Sequence, residues 1–168
     1  MIRSFNGKTP RIAETAWVSE SAYVVGDVEI GEYSSVWPGA VIRGDFGRIV
    51  IGANTHIEDN CVLHCAPPAM TIGDNNIIGH AVVVHGRSVG SNCLIGNNAT
   101  LLDDSEIGDG CVIAAGALVP PRTVVPAGSR AMGVPAVVAA LPAGGRAPGA
   151  SASGGYKDMA QRYKAAGL

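Results

Sequence analysis

The sequence is short of aromatic residues and of charge, and neither sign of charge dominates. Aromatic side chains make up 5% of its 168 residues and charged side chains 15%. The 12 Lys and Arg residues against 14 Asp and Glu residues give a formal net charge of -2, which excludes a strongly basic nucleic-acid-binding protein. With 47% apolar residues, the chain is nevertheless too hydrophobic to be disordered.

Long hydrophobic runs and a secretory signal are also missing. No apolar run approaches the roughly 18 residues that a membrane-spanning helix needs. The N-terminal MIRSFNGKTPRIAE has no apolar core of the kind that signal peptides carry. The four cysteines are few for this length and suit reduced thiols. We therefore expect a cytoplasmic protein that binds neither a membrane nor nucleic acid.

The sequence does contain an aliphatic repeat with a period of six residues. The spacing widens by three residues after Ile42 and again after Leu63, and it shortens by one after Val84. A period of six fits neither a helix nor a single amphipathic strand. Three six-residue sides close a triangular coil of about 18 residues, so the repeat predicts an all-β solenoid of about six coils, a hexapeptide β-helix. The repeat positions are Val18, Val24, Ile30, Val36, Ile42, Ile51, Ile57, Leu63, Ile72, Ile78, Val84, Val89, Ile95, Leu101, Ile107, Ile113, Val119 and Val125.

The composition divides the chain into three parts. Residues 1–141 form the predicted β-helix domain, in which residues 1–17 cap the first coil. Residues 142–155 (PAGGRAPGASASGG) have the composition of a linker. In residues 156–168, Tyr156, Met159, Ala160 and Tyr163 form one apolar stripe of a short C-terminal helix. A helix of this length is marginal alone, so we expect it to dock on the β-helix of its own chain or of a neighbour.

All four histidines fall between positions 56 and 85. His64 and His85 each directly follow a repeat position and should stand on adjacent coils about 4.8 Å apart, where both imidazoles can reach one metal ion at roughly 2.1 Å. His80 falls on another side of the triangle, and the filled core separates it from the pair. Surface histidines without a ligand are the simpler alternative. We favour a three-histidine zinc-type site, which another chain must complete if His80 is a ligand.

The segment IGHAVVVHG, with VLH upstream and RGD before both on hexapeptide repeats, resembles the gamma-class carbonic anhydrase family. The resemblance covers residues 10–140 and the tail helix. It implies a left-handed coil and a homotrimer with Zn²⁺, or Fe²⁺ or Co²⁺, at the subunit interfaces. It also implies a lyase activity, the reversible hydration of CO₂ to bicarbonate by a metal-bound hydroxide.

The family's site residues carry over by position. His64 and His85 match the metal ligands from one subunit, and His80 matches the ligand from its neighbour. Arg43 and Asp45, in RGDFG, match a pair that ties the subunits together near the site.

Four further positions either match the family or depart from it. Asp59 matches a carboxylate of the same network, and Glu58 stands where the family usually has a Gln that holds the metal-bound water. His56 stands where the family usually has Asn. Tyr163 resembles a tyrosine that some relatives place over the metal, and a plain packing role is the alternative. The loop Cys65–Met70 lacks the acids that export protons in the prototype, so Glu58 or His56 is expected to transfer the proton.

Two other functions stay open at this point. RGDFGR also resembles relatives linked to phenylacetate and carnitine metabolism, for which thioester hydrolysis of an acyl-CoA is suggested. A catalytically weak or inactive trimeric scaffold is the other alternative.

Overall fold

Short parallel strands follow the six-residue repeat and stack into a coil. The computed structural model describes residues 1–142, 145, 147 and 149–168. The expected fold class is confirmed: the chain is a left-handed parallel β-helix of about 7 turns with a C-terminal helix, α1 (Gly149–Ala165). The strands are β1 (Ile2–Arg3), β2 (Arg11–Ile12), β3 (Trp17–Val18), β4 (Tyr23–Ile30), β5 (Ser35–Val36), β6 (Val41–Ile51), β7 (His56–Ile57), β8 (Val62–His64), β9 (Ala69–Ile72), β10 (Ile77–Ile78), β11 (Val83–Val84), β12 (Ser88–Val89), β13 (Leu94–Ile95), β14 (Thr100–Leu101), β15 (Glu106–Ile107), β16 (Val112–Ile113), β17 (Leu118–Val119), β18 (Val124–Val125), β19 (Ser129–Met132) and β20 (Val137–Ala140).

Two sheets make the three faces of the coil. One face is an eight-stranded sheet in the order β20-β19-β16-β13-β10-β7-β5-β3. The other two faces belong to a single twelve-stranded sheet, because the long strands β4 and β6 continue around a corner of the triangle. The first part of β6 pairs with β8 and its last part pairs with β9. The corner therefore holds the segment that contains Arg43 and Asp45.

The aliphatic repeat forms the core. Every repeat position from Val24 to Val125 is buried, and Val18 at the open end is half-buried. Each inward side chain stacks on its equivalent in the next coil, and the backbone N–H groups of one coil donate to carbonyl groups of the next. Burial of one large aliphatic side chain per six residues, at about 1.5–3 kcal/mol each, is the main stabilising contribution.

The corners of the coil require left-handed backbone. Positive φ recurs at every sixth residue through much of the chain, and asparagine or glycine occupies most of these positions. Asparagine tolerates this conformation because its short side chain hydrogen-bonds locally, and glycine because it has no Cβ. The positions are Asn54, Asn60, Asn75, Ala81, Asn92, Asn98, Asp104, Gly110, Gly116, Arg122 and Gly128.

Both ends of the coil extend beyond the repeat. At the N-terminus, β2 and β3 pair in parallel with strands that lie 18 residues further along, so residues 1–17 are partly coiled themselves and add to the six expected turns. At the C-terminus, β19 continues the eight-stranded face and β20 folds back on it in antiparallel pairing. The antiparallel return ends the coil.

The C-terminal helix begins earlier than we expected. It starts at Gly149 and not at Tyr156, so the second half of the expected linker 142–155 is helical, while its positions 143, 144, 146 and 148 lie outside the described residues. Glycine and serine disfavour helices, but the packing of buried Ser153 and Ala160 against the coil overrides that preference. Within the described residues, no helix combines the length and the hydrophobicity that a membrane span requires.

The helix docks on the β-helix of its own chain; docking on a neighbouring chain was the other expectation. Trp17, Trp37 and Ala160 form a small apolar cluster against which Tyr156 and Tyr163 pack. The indole N–H of Trp17 donates to the carbonyl of the C-terminal residue at 2.7 Å. Edge-to-face contacts of this kind add stability beyond the buried area. The helix is therefore held by aromatic side chains from the first two coils.

Two glycines meet where the corner segment turns. Gly26 has a φ of +85°, and a Cβ added there would lie 2.2 Å from the carbonyl oxygen of Gly44. The register between β4 and β6 shifts at this point, which marks a β-bulge. Because Gly44 stands between Arg43 and Asp45, the close approach of the two glycines fixes the backbone that carries both side chains.

We expect Gly26→Ala to lower the free energy of unfolding by on the order of 3 kcal/mol, from left-handed strain and from a backbone clash. Gly110→Ala is the matched control, because Gly110 also has positive φ but has no atom within 4 Å of the added Cβ. Gly110→Ala should lower the free energy of unfolding by about 1 kcal/mol. Urea denaturation measures both, and equal losses in the two variants would contradict the close approach.

Candidate metal-binding site

His64 and His85 lie one above the other, as the repeat predicts. Strands β8 and β11 are adjacent, with Val62 opposite Val83 and Leu63 opposite Val84. The two imidazole rings have centroids 5.2 Å apart, and Nδ1 of His64 is 3.2 Å from Nε2 of His85. The in-register pair of histidines is thus a property of the fold.

The separation of these two nitrogen atoms suits a shared metal ion. Two ligands of a tetrahedral zinc ion, each at about 2.0–2.1 Å, stand about 3.4 Å apart. The 3.2 Å between Nδ1 of His64 and Nε2 of His85 is close to that separation. Burial lowers the pKa of His64, although Asp45 acts in the opposite direction, so this imidazole is neutral near pH 7 and keeps a lone pair for a metal. The donor set therefore fits a divalent cation of the zinc type.

Carboxylates contact both imidazoles on the sides that face away from each other. Nε2 of His64 is 3.0 Å from Oδ1 of Asp45, whose other oxygen accepts a hydrogen bond from Arg43 at 2.5 Å. Burial opposes the ionisation of Asp45, but the hydrogen bonds from Arg43 and His64 outweigh it and hold the pKa of this carboxyl below its usual range. Nδ1 of His85 is 3.3 Å from Oδ1 of Asp103, a residue that the sequence analysis did not single out.

His80 lies apart from the pair, on a turn that follows β10 in the other sheet. Its Nε2 is 2.9 Å from Oε2 of Glu58, and its Nδ1 is 3.1 Å from Oδ2 of Asp59. Its side chain is 53% exposed, whereas Glu58 is 3% exposed. In the part of the chain that the structure describes, no three His, Cys, Asp or Glu side chains converge in a way that could hold a metal.

The tail helix reaches this second cluster through Tyr156. Burial and a hydrogen bond to Glu58 raise the pKa of Tyr156 to about 12, so its hydroxyl stays protonated and donates to the carboxylate. Tyr163, the tyrosine that the family resemblance suggests, packs instead against Trp17 and Trp37 at ring distances of 5.2 and 5.3 Å. Both tyrosines share one helical stripe, so spacing alone did not separate them.

A small cleft opens beside His85. It has a volume of about 30 Å³ and is lined by the loop 66–69, by His85 and by the turn that carries Asp103. On the other side of the pair, the exposed ring of Phe46 lies 5.6 Å from the ring of His64. Small molecules can therefore approach the histidine pair from the loop side.

His56 does not suit the proton transfer that the sequence analysis assigned to it. The side chain is fully buried and stacks on the ring of Tyr156. Its Nδ1 is hydrogen-bonded to Oγ of Ser35 at a distance of 2.8 Å. Burial lowers the pKa of His56 to about 4. A buried, neutral imidazole under the helix exchanges no proton with solvent, so its role is to pack the helix.

This burial predicts a pH-dependent stability. The pKa of His56 is about 6.5 in the unfolded chain and about 4 in the folded protein. Between these two pH values, His56 is protonated in the unfolded chain and neutral in the folded protein. Stability is therefore present above pH 6.5 and is lost as the pH falls, by about 3 kcal/mol at pH 4. His56→Asn should lack this loss. Urea denaturation of both metal-free proteins from pH 7 to 4 measures the difference, and parallel curves would show that His56 is not held neutral.

Two family profiles match the chain. The one described as bacterial transferase hexapeptide (six repeats) matches residues 9–44 and 88–121. The one described as hexapeptide repeat of succinyl-transferase matches residues 70–103. Both matches lie within the repeat region, so they identify the coil and not the chemistry of the site.

Curated relatives with names indicate the family. The chain is 40% identical to gamma carbonic anhydrase 2, mitochondrial, of Arabidopsis thaliana over 136 residues, which are 77% of this chain and 49% of that protein. It is 43% identical to a carbonic anhydrase of Geobacillus kaustophilus over 111 residues, which are 66% of this chain and 61% of that protein. The chain thus spans about half to three fifths of the length of these curated relatives.

A solved structure from Bacillus cereus, described as a putative acetyltransferase, is similar over nearly its whole length. The TM-score is 0.92 at 35% identity, and the match covers 98% of this chain and 96% of that chain. The coil, the in-register histidines and the named relatives agree with one another. The chain belongs to the gamma-class carbonic anhydrase family of hexapeptide-repeat proteins.

Proposed function

We propose that this chain is one subunit of a homotrimer that hydrates CO₂ reversibly to bicarbonate at a zinc-type metal ion, with Fe²⁺ or Co²⁺ as alternatives. Each site would take His64 and His85 from one subunit and His80 from the next. The observation that carries the proposal is the 3.2 Å between the facing nitrogen atoms of His64 and His85, with His80 held on another side of the same coil. The relatives named carbonic anhydrase support the choice of CO₂ as the substrate.

The metal would supply the nucleophile. A divalent cation lowers the pKa of a coordinated water molecule from 15.7 to about 7, which makes hydroxide available near neutral pH. The chain's own residues hold and shield that position. Arg43 and Asp45 orient His64, and Phe46 covers the ring of His64 on its outer side.

Glu58 would orient the reacting water beside His80. Its carboxylate lies 2.9 Å from Nε2 of His80 and accepts a hydrogen bond from Tyr156, so its position is fixed from the tail helix. Burial of this carboxylate, at 3% exposure, keeps bulk water from competing for its oxygen atoms. We therefore assign Glu58 to the site and Tyr156 to the positioning of Glu58.

The shared site is tested by complementation. His64→Ala and His80→Ala should each lose most of their metal and of their CO₂ hydration. When the two variants are unfolded together and refolded as an equal mixture, every mixed trimer has one interface that pairs an intact His64 and His85 with an intact His80. About a quarter of all sites should then regain metal, with a matching gain in hydration rate by stopped flow.

Two results would contradict this proposal in different ways. If properly refolded mixed trimers recover no metal, the ligands are not shared between subunits. If the unaltered protein carries a full complement of metal and yet shows no CO₂ hydration, the carbonic anhydrase activity is wrong. Thioester hydrolysis of an acyl-CoA is then the next reaction to assay.

The two tail tyrosines form a matched pair of variants. Tyr156→Phe removes the hydroxyl that holds Glu58 and should lower kcat about five- to tenfold, or about 1 kcal/mol, with the metal content unchanged. Tyr163→Phe keeps the ring that packs on Trp17 and Trp37 and should stay within about twofold of the unaltered protein. A loss of activity in Tyr163→Phe alone would restore Tyr163 as the site tyrosine.

A further inference from the structure

Two of the four buried cysteines lie one above the other on adjacent coils. Cys93 and Cys111 stand immediately before the paired strands β13 and β16, in which Leu94 is opposite Val112. The backbone N–H of Cys111 donates to Sγ of Cys93 at 3.4 Å. Adjacent strands lie about 4.7–4.9 Å apart, and the Cα atoms of a disulfide are usually about 4.4–6.8 Å apart. The register of the coil therefore places these two cysteines at a separation that a disulfide can bridge.

The two thiols belong to a column of small polar side chains inside the coil. In each coil from Thr55 to Cys111, the backbone N–H at this position donates to the side chain of the coil before. Only the step from Cys93 to Cys111 brings two sulfur atoms together. The members of the column, all of them buried, are Ser34, Thr55, Asn76, Cys93, Cys111 and Ser129.

Cys111 is the thiol that can react first. A hydrogen bond from the thiol of Cys93 lowers the pKa of Cys111 to about 7, although burial acts in the opposite direction. Backbone hydrogen bonds from Gly128 and Ser129 add to this lowering. The contact with Cys111, together with burial, raises the pKa of Cys93, and burial raises the pKa of Cys61 to about 12. Because the thiolate is the nucleophilic form of cysteine, Cys111 is the reactive member of the pair.

The position of Cys111 near one end of the coil decides which oxidant can reach it. Its Sγ lies 3.1 Å from the carbonyl oxygen of Pro126, just before β19, which is the last parallel strand of this face. Elements at the end of a fold open locally more readily than its centre does. Both cysteines are fully buried in the closed coil. A small, uncharged oxidant such as hydrogen peroxide therefore fits this position better than a bulky disulfide reagent does.

We propose that Cys93 and Cys111 are a redox pair that a peroxide converts into a disulfide between two successive coils. The thiolate of Cys111 attacks one peroxide oxygen, the O–O bond breaks, and Cys111 becomes a sulfenic acid while the other oxygen leaves as water after protonation. The sulfur of Cys93 then attacks the sulfenic sulfur, the S–S bond forms, and the oxygen leaves as a second water with the proton of Cys93. The two sulfur atoms give up two electrons, and the peroxide gains both. The inference is independent of the proposed metal site.

The disulfide would tie one full coil into a closed loop, residues 93–111. A cross-link of this kind restricts the unfolded chain and so favours the folded one. The contacts that it replaces, from Sγ of Cys93 to the carbonyl of Gly108 and from Sγ of Cys111 to that of Pro126, involve thiols and are weak. Oxidation should therefore raise the midpoint of urea denaturation, and reduction with dithiothreitol should return it.

Hydrogen peroxide applied to the folded protein tests the proposal, at a concentration that fully oxidises free glutathione. The reduced protein has four free thiols, which are counted after denaturation. After peroxide, two should remain, peptide mapping should place the disulfide between Cys93 and Cys111, and dithiothreitol should restore all four.

Three serine variants supply the controls. Cys93→Ser and Cys111→Ser each remove one partner and should form no disulfide. The fold should accept both, because serine already occupies this column at Ser34 and Ser129. Cys61→Ser removes a buried thiol outside the column and should still form the link between Cys93 and Cys111.

Four results would overturn the proposal. The pair is not a redox site if all four thiols survive the peroxide, or if the disulfide joins other cysteines. If Cys111 is oxidised to a sulfinic acid while Cys93 stays reduced, the two sulfur atoms do not meet. If the link forms but the midpoint of urea denaturation falls, the disulfide strains the coil and does not tie it.

Discussion

The backbone hydrogen bonds between successive coils are the constraint on which the rest of this structure depends. Each coil donates to and accepts from its neighbours along three faces, so every residue lies above its equivalent in the coil before. Inside the coil this alignment stacks one aliphatic side chain on another. Outside the coil it brings together polar side chains that are about 18 residues apart in the sequence. Core and site are therefore two consequences of one register.

The same register places the three histidines of the proposed metal site on two different sides of one chain. His64 and His85 belong to stacked strands of the twelve-stranded sheet, whereas His80 follows a strand of the eight-stranded sheet. A close-packed interior separates the two positions, and side chains cannot cross it. Around His80, the carboxylates of Glu58 and Asp59 lie within about 3 Å of the imidazole nitrogen atoms. In the proposed function, each chain would contribute one part of a metal site from each of these sides, which is an arrangement that a cyclic assembly of identical chains can close.

The sequence was sufficient for the parts that the period of six determines. It predicted the coil, the buried repeat positions and the alignment of His64 with His85. It did not predict where the tail helix begins, because Gly149–Gly155 has a poor helix propensity and becomes helical only through packing on the coil. It also did not predict that Asp103 lies close to His85. Asp103 is a turn residue outside the repeat, so its neighbour on the adjacent coil is known only from the structure.

The choice between the two tail tyrosines shows how packing assigns a role that spacing cannot. Tyr156 and Tyr163 are seven residues apart and point from the same stripe of the helix toward the coil. The coil surface beneath them differs along its axis: the first two coils present Trp17 and Trp37, and the third presents His56 and Glu58. Tyr163 therefore meets an apolar surface and packs its partly buried ring there. Tyr156 meets His56 and Glu58. Its ring stacks on the imidazole of His56, and its hydroxyl group donates a hydrogen bond to the carboxylate of Glu58. Because Glu58 also contacts His80, the docked helix fixes the surroundings of a proposed metal ligand from 76 residues away in the sequence.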